Sequence, residues 1–165
     1  LGLIDLFARR YDSAEQALDQ AIALNPSDAT SFATRGAVML FSGRHARAVE
    51  NLETAKRLNP SLGSGSLATL GLAYYFNGDP EAALETLVAA KGRKPDPFGG
   101  PAPVFADAAL AAANIRLGRD AAAAEAAEAV RRVWPFFSVQ QFASQFADPR
   151  ARQALVADLT AAGLE

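Results

Sequence analysis

The sequence predicts an all-α protein, a right-handed α-α superhelix of about four helical hairpins with a C-terminal capping helical tail. Three observations lead there. Gly36, Ala48, Leu52, Ala55 and Pro60 each stand 34 residues after Gly2, Ala14, Leu18, Ala21 and Pro26, and a fixed period of this size marks a solenoid. The set returns 35 residues further on as Gly71, Ala83, Leu87, Ala90 and Pro95. A weaker copy has Ala111, Ala123, Ala127, Val130 and Pro135. Within the units, apolar residues such as Ala14, Leu18 and Ala21 fall at i, i+4 and i+7, one face of a helix.

The first unit covers 1–28. LGLIDLFARR reads as the end of its first helix and SAEQALDQAIALN as its second, stopped at Asn25-Pro26 because proline cannot continue a helix. The chain opens at Leu1-Gly2, with Gly2 already in the mid-helix glycine position. The expectation is therefore a piece cut from a longer protein, with part of that first helix upstream.

The second unit, 29–62, uses the same grammar. Ser27 or Asp28 caps a helix with Phe32, Gly36, Met39 and Leu40 on one face. Ser42-Gly43 ends it, and a second helix runs from about 45 to 58. Glycine inside a helix costs about 1 kcal/mol against alanine, so Gly36 makes sense where another helix backbone comes close. A larger side chain there costs about 1–3 kcal/mol by overpacking.

The third unit, 63–97, places Leu67, Leu70, Gly71 and Tyr74 on one face, turns at Asn77-Gly78 and restarts at Asp79-Pro80, an N-cap followed by a proline at the first helical position. Residues 98–103 are an insertion rich in proline and glycine, a surface loop. The fourth unit, 104–135, is alanine-rich on all faces, so its periodicity is faint while its helix propensity is high.

The tail, 136–165, departs from the repeat. Ser138 and Gln141 form a capping-box pattern before a short helix with Phe142 and Phe146 on one face. Asp148-Pro149 opens a last helix in which Leu155 and Leu159 recur at i, i+4, ending at Gly163. A solenoid end needs a cover for its apolar face, and capping is the role read for this tail.

These spacings and residue types resemble the tetratricopeptide repeat, a 34-residue helix–turn–helix unit. The segment FADPRARQALVADLTAAGLE also resembles, through Phe146, Asp148, Pro149 and Ala162–Glu165, the tail that follows such repeats in bacterial class III adenylate/guanylate cyclase-like proteins and winged-helix regulators. No cyclase metal or nucleotide residue and no DNA-recognition helix falls in this sequence.

Composition narrows the function. The 165 residues are half hydrophobic and 21% charged with net charge −2, a folded chain with no bulk basic field for nucleic acid. Cysteine is absent, which removes thiolate chemistry and cysteine-ligated zinc and suits a reducing, cytoplasmic location. No apolar run reaches the roughly 18 residues that span a bilayer. His45 follows a turn, lacks sequence neighbours for a dyad or metal site, and reads as an exposed turn residue. The acidic residues read as solvated helix faces. Gly63, Gly65 and Ala68 match a dinucleotide-binding pattern in spacing only, since no strand precedes them. The run Lys91-Gly92-Arg93-Lys94 sits at a helix end, where cations suit the dipole. No catalytic residue, metal site or cofactor is expected.

The resemblance implies that the first helices of successive repeats line a concave, partner-binding surface. Carried over position by position, it would show Leu3 and Phe7, then Leu40 and Phe41, then Leu72, Tyr75 and Phe76, then Ile115 and Arg116. The family's carboxylate clamp of Lys, Asn and Arg is not expected, because the matching positions are mostly Ala, Leu and Phe. An apolar groove either binds something apolar or is filled. Its occupant is expected to be an amphipathic helix or peptide of a protein partner, the chain's own tail or a second copy of the chain. The leading reading is a non-catalytic interaction or scaffold module, the regulatory part of a larger bacterial signalling protein. The alternatives are a domain sensing a small molecule or signalling peptide, and a self-association module.

Overall fold

A computed structural model of the chain describes residues 10–95 and 103–165. Among these residues all regular structure is helical. The elements are α1 (Tyr11–Leu24), α2 (Ala29–Phe41), α3 (His45–Leu58), α4 (Ser64–Phe76), α5 (Pro80–Lys91), α6 (Pro103–Arg116), α7 (Asp120–Val133), α8 (Val139–Ala143) and α9 (Pro149–Ala161). Helices α2 and α3, α4 and α5, and α6 and α7 pack as hairpins, and each hairpin packs on the next. The first unit's first helix, with Leu3 and Phe7, lies outside the described residues, as do residues 98–102 of the insertion. Its last residue, Pro103, already belongs to α6, and α1 begins at Tyr11, ahead of the Ser13 start read from sequence.

The same turn closes all three hairpins. Gly43, Gly78 and Gly118 have φ of 86°, 85° and 65°, a left-handed geometry that glycine adopts without a Cβ penalty. The amide after each glycine reaches back to the helix it ends: Arg44 N donates to Met39 O at 2.8 Å, Asp79 N to Tyr74 O at 3.0 Å, and Arg119 N to Asn114 O at 2.9 Å. This is the Schellman closure, which satisfies carbonyls the helix leaves open. Gly163, with φ 92°, ends α9 the same way, Leu164 N donating to Leu159 O at 3.0 Å.

The mid-helix glycines mark close approach. A Cβ on Gly36 would lie 2.5 Å from Cγ of Leu52, and one on Gly71 would lie 2.4 Å from Cγ of Leu87. The third complete hairpin solves the same contact differently. Ala111 stands where the glycine would be, and its partner position carries Ala127, both fully buried in one core cluster. A methyl gained on one helix is matched by a smaller side chain on the other, the kind of volume-conserving exchange cores tolerate best.

Capping fits the sequence reading closely. Asp28, rather than Ser27, caps α2 by accepting from the amides of Thr30 and Ser31. The Ser31 hydroxyl also donates to it at 2.5 Å, and that bond holds the Asp28 carboxyl below its usual range against the opposing effect of burial. Asp79 caps α5, Ser138 caps α8 through the Gln141 amide, and Asp148 caps α9 through the Arg150 amide. Helix α1 is held by ion pairs: Asp19 with Arg35 at 2.7 Å, and Glu15 with both Arg44 and Arg47.

The core centres on α4, where Gly65, Leu67, Ala68, Thr69, Leu70, Gly71, Leu72, Ala73 and Tyr75 are all buried. Besides Glu15, held between Arg44 and Arg47, two acidic residues of the later helices depart from the solvated-face expectation. Asp107 is 7% exposed and pairs with Lys91 at 2.8 Å, so that lysine bridges α5 to α6 rather than only complementing a helix end. Asp158 on α9 is the other. The tail does more than close an end: α9 lies against α6, and the segment before it reaches back to α2 and α4.

Candidate partner-binding face

The concave residues read from sequence separate into two layers. Leu40, Leu72 and Tyr75 are 0–1% exposed, so these three belong to the interior. Phe41, Phe76 and Ile115 are half-buried and pack on the same core. Arg116, at the C-terminal end of α6, stands at the rim.

Over this second layer lies the tail. Phe146, 1% exposed, stacks on Phe41 with centroids 5.3 Å apart and meets Phe76 at 4.7 Å. Phe142 closes the socket edge-on at 5.8 Å. Such ring pairs contribute about 0.5–1.5 kcal/mol each beyond the area they bury. One residue on, the Ala147 amide donates to the Phe41 carbonyl at 2.8 Å, using a carbonyl at the very end of α2. Then Asp148, capping α9, passes so close to the turn that a Cβ on Gly43 would lie 3.1 Å from the Asp148 Cβ. Gly43 therefore serves twice, for its left-handed φ and for the passage of the tail.

The polar end of the contact is on α6 and α4. Oδ2 of Asp158 accepts from the Tyr75 hydroxyl at 2.5 Å and from Arg116 Nε at 2.5 Å. Arg116 also donates to the Tyr75 oxygen at 3.2 Å and sits over the Tyr75 ring at 4.7 Å. Charge-assisted bonds of this kind are the strong ones. Burial, and then the bond to Asp158, push the Tyr75 hydroxyl well above the ordinary tyrosine range. Burial acts to lower the Arg116 pKa, and the bonds to Asp158 and Tyr75 outweigh it, so the guanidinium stays charged.

His45 corrects a sequence expectation. It is half-buried, not exposed, and its ring stacks on Phe76 at 5.0 Å. Its Nε2 is enclosed with no hydrogen-bond partner. Burial lowers its pKa, while the Asp148 charge pulls the other way. Sequence reading placed Phe146 on a capping helix and gave Asp158 no role. The one available signal for Asp158 was its place beside Leu155 and Leu159 on an otherwise amphipathic helix.

Among the described residues no cluster of three or more His, Asp or Glu side chains is placed to hold a metal ion. None of the described helices is long and apolar enough to cross a membrane. Gly63 and Gly65 sit at the start of α4 after a helix and a loop, without the strand a dinucleotide site requires.

Comparison with known proteins agrees with this architecture. Residues 64–97, spanning α4 and α5, match the tetratricopeptide repeat family model. Over 90 residues, 54% of this chain, the sequence is 31% identical to a small glutamine-rich tetratricopeptide repeat-containing protein 2 of Mycosarcoma maydis. The match spans 25% of that relative's length. A crystal structure of MamA superimposes with a TM-score of 0.68 at 19% identity, covering 98% of this chain and 92% of that one. Nearly identical TPR-like repeats from Podosopora anserina give a TM-score of 0.62 at 20% identity, covering 99% and 92%. The fold is an α-α superhelix of tetratricopeptide-like hairpins.

Proposed function

We propose that this chain is a non-catalytic protein–protein interaction module, built on a tetratricopeptide-like superhelix whose first-helix ends Phe41 and Phe76 are covered by its own tail. One observation carries the reading. The face formed by Phe41, Phe76 and Arg116 accommodates a helix entered through an aromatic residue, because the tail occupies it in that way. Helix-in-groove recognition needs an apolar channel with a few placed polar groups, and both are present. In this reading the tail is an intramolecular occupant, and a partner's helix takes its place. The module serves as the regulatory part of a larger bacterial signalling protein, a view that rests on the tail's resemblance to cyclase-like and winged-helix regulators.

Ligand-dependent thermal unfolding tests the class of partner, since whatever binds the folded state raises its melting temperature. A panel of amphipathic helical peptides is expected to raise it, and a panel of small metabolites is not. Stabilisation by a metabolite with none by any peptide would replace this reading with a ligand-sensing domain.

A further inference from the structure

The tail carries an open surface of its own, outside the repeats. A cleft of about 370 Å³ runs along α8 and α9, lined by Gln140, Ala143, Ser144, Arg152, Gln153 and Val156. Its floor is apolar: Ala143 belongs to the main core and the half-buried Val156 packs against it. Its edges are the exposed Gln140, Ser144 and Gln153. Arg152 is half-buried and is the one ionisable side chain in the lining. A cation that has given up part of its water is ordinarily paired, yet among the described residues Arg152 forms no ion pair. The tail's own acids are engaged elsewhere. The Asp148 carboxylate accepts from the Arg150 amide, and that of Asp158 is held by Tyr75 and Arg116. Glu165 lies at the start of α8, its carbonyl accepting from the Val139 amide. The Ser144 hydroxyl donates back to the Gln141 carbonyl at 2.8 Å.

We propose that this cleft takes an acidic side chain of a partner polypeptide, Arg152 holding the carboxylate and the amides of Gln140 and Gln153 meeting the peptide groups beside it. The proposal goes beyond the concave face and rests only on the premise that the chain binds polypeptide. A guanidinium presents a planar fork that matches a carboxylate two bonds at a time. Glutamine amides both give and take hydrogen bonds, as a peptide backbone requires. The methylenes of the acid lie on Ala143 and Val156. A free small molecule is held by enclosure over most of its surface, and a cleft edged by three exposed residues does not enclose one. A side chain delivered by a docked chain needs only the single wall that is present. A lysine in the same place meets a like charge, which selects against it. Phe142, Phe146, Leu155 and Leu159 stay in the core throughout, so no part of the fold has to open.

The test uses the full chain and three blocked tripeptides, Ala-Glu-Ala, Ala-Gln-Ala and Ala-Lys-Ala, with free glutarate as the small-molecule arm. Nitrogen-edited NMR follows the Arg152 Nε–H and the side-chain amides of Gln140 and Gln153. The glutamate peptide is expected to shift all three signals saturably. The glutamine peptide should bind about tenfold more weakly, having no charge to assist the bond, and the lysine peptide should not bind. Arg152→Gln should abolish the preference for glutamate and Arg152→Lys should weaken it. Arg150→Gln, on the same helix but outside the lining, should leave it unchanged. Equal binding of the glutamate and glutamine peptides, or no saturable shift up to about 10 mM, overturns the proposal. A preference that survives Arg152→Gln removes Arg152 from the role, and tighter binding of glutarate than of the glutamate peptide overturns the polypeptide assignment. Should a variant fail to fold by circular dichroism, the glutamate and glutamine peptides on the unaltered chain decide. Each of these failures leaves the melting test of the module reading as it stands.

Discussion

The ring of Phe146 meets that of Phe76 at 4.7 Å and 58°, joining the tail to the central hairpin across almost half the sequence. Phe146 is 1% exposed and also stacks on Phe41, so its removal leaves a cavity with aromatic walls. Phe146→Ala is expected to lower stability by about 3–5 kcal/mol, the usual cost of deleting a buried phenylalanine. Urea unfolding followed by circular dichroism measures it. Trp134, the one tryptophan, lies edge-on to Phe137 at 6.2 Å, and its fluorescence reports separately whether the tail's approach is disturbed. A loss under 1 kcal/mol would contradict the seating of this ring.

Gly71 tests the central hairpin. Alanine there gains about 1 kcal/mol of helix propensity, yet its Cβ would meet Leu87 Cγ at 2.4 Å. Overpacking costs about 1–3 kcal/mol, so Gly71→Ala is expected to be neutral to destabilising by about 2 kcal/mol. Gly71→Leu should disrupt the hairpin. The Ala111 and Ala127 arrangement offers a rescue: Gly71→Ala with Leu87→Ala should be more stable than the two single losses predict, with a coupling of about 0.5–3 kcal/mol. Strict additivity in the double-mutant cycle would deny the contact.

The repeat period was legible because each glycine, alanine and proline in it answers a local demand: helix contact, helix contact, helix stop. Gly36 and Gly71 could be assigned to close approach before any coordinates, and so could the caps at Asp79, Ser138 and Asp148. The path of the tail was not legible. A helix pattern gives the buried stripe on α9 through Leu155 and Leu159, but not the surface that stripe meets. For the same reason His45 read as exposed: its neighbours along the chain are polar turn residues, while Phe76 and the Asp148 segment that cover it are distant in sequence. The positions read as one concave row divide in the structure: periodicity does not separate Leu40 and Leu72, which face the interior, from Phe41 and Phe76, which meet the tail.

His45 makes the tail contact sensitive to acid. Burial lowers its pKa below the ordinary 6.5, opposed by the Asp148 charge, and the ring lies flat on Phe76. The unfolded chain therefore binds the proton more readily than the folded one. The resulting stability is present above pH 6.5 and is lost as the pH falls through the lower folded value. His45→Phe keeps a ring against Phe76 and removes the titration. Its melting temperature is expected to fall less than that of the unaltered chain as the pH drops from about 7.5 to about 5.5. Parallel declines would show that His45 does not titrate under the tail.

Tyr75 makes the same contact sensitive to base. Burial first, and then the bond to Asp158, raise its pKa above the ordinary 10.0, so the folded state holds this proton more tightly than the unfolded chain. The sign is opposite to that of His45: the stability is complete below pH 10 and is lost as the pH rises through the folded value. Tyr74 complicates the range, since burial and its 2.8 Å bond to Glu53 push its hydroxyl up to about 12. The comparison therefore belongs in a Tyr74→Phe background. There, Tyr75→Phe is expected to cost about 1.5–3 kcal/mol at neutral pH, the value of a hydrogen bond to a charged group. It should also flatten the decline in urea midpoint between about pH 9 and 11. An undiminished alkaline decline in Tyr75→Phe would place the titrating group elsewhere and remove Tyr75 from the grip on Asp158.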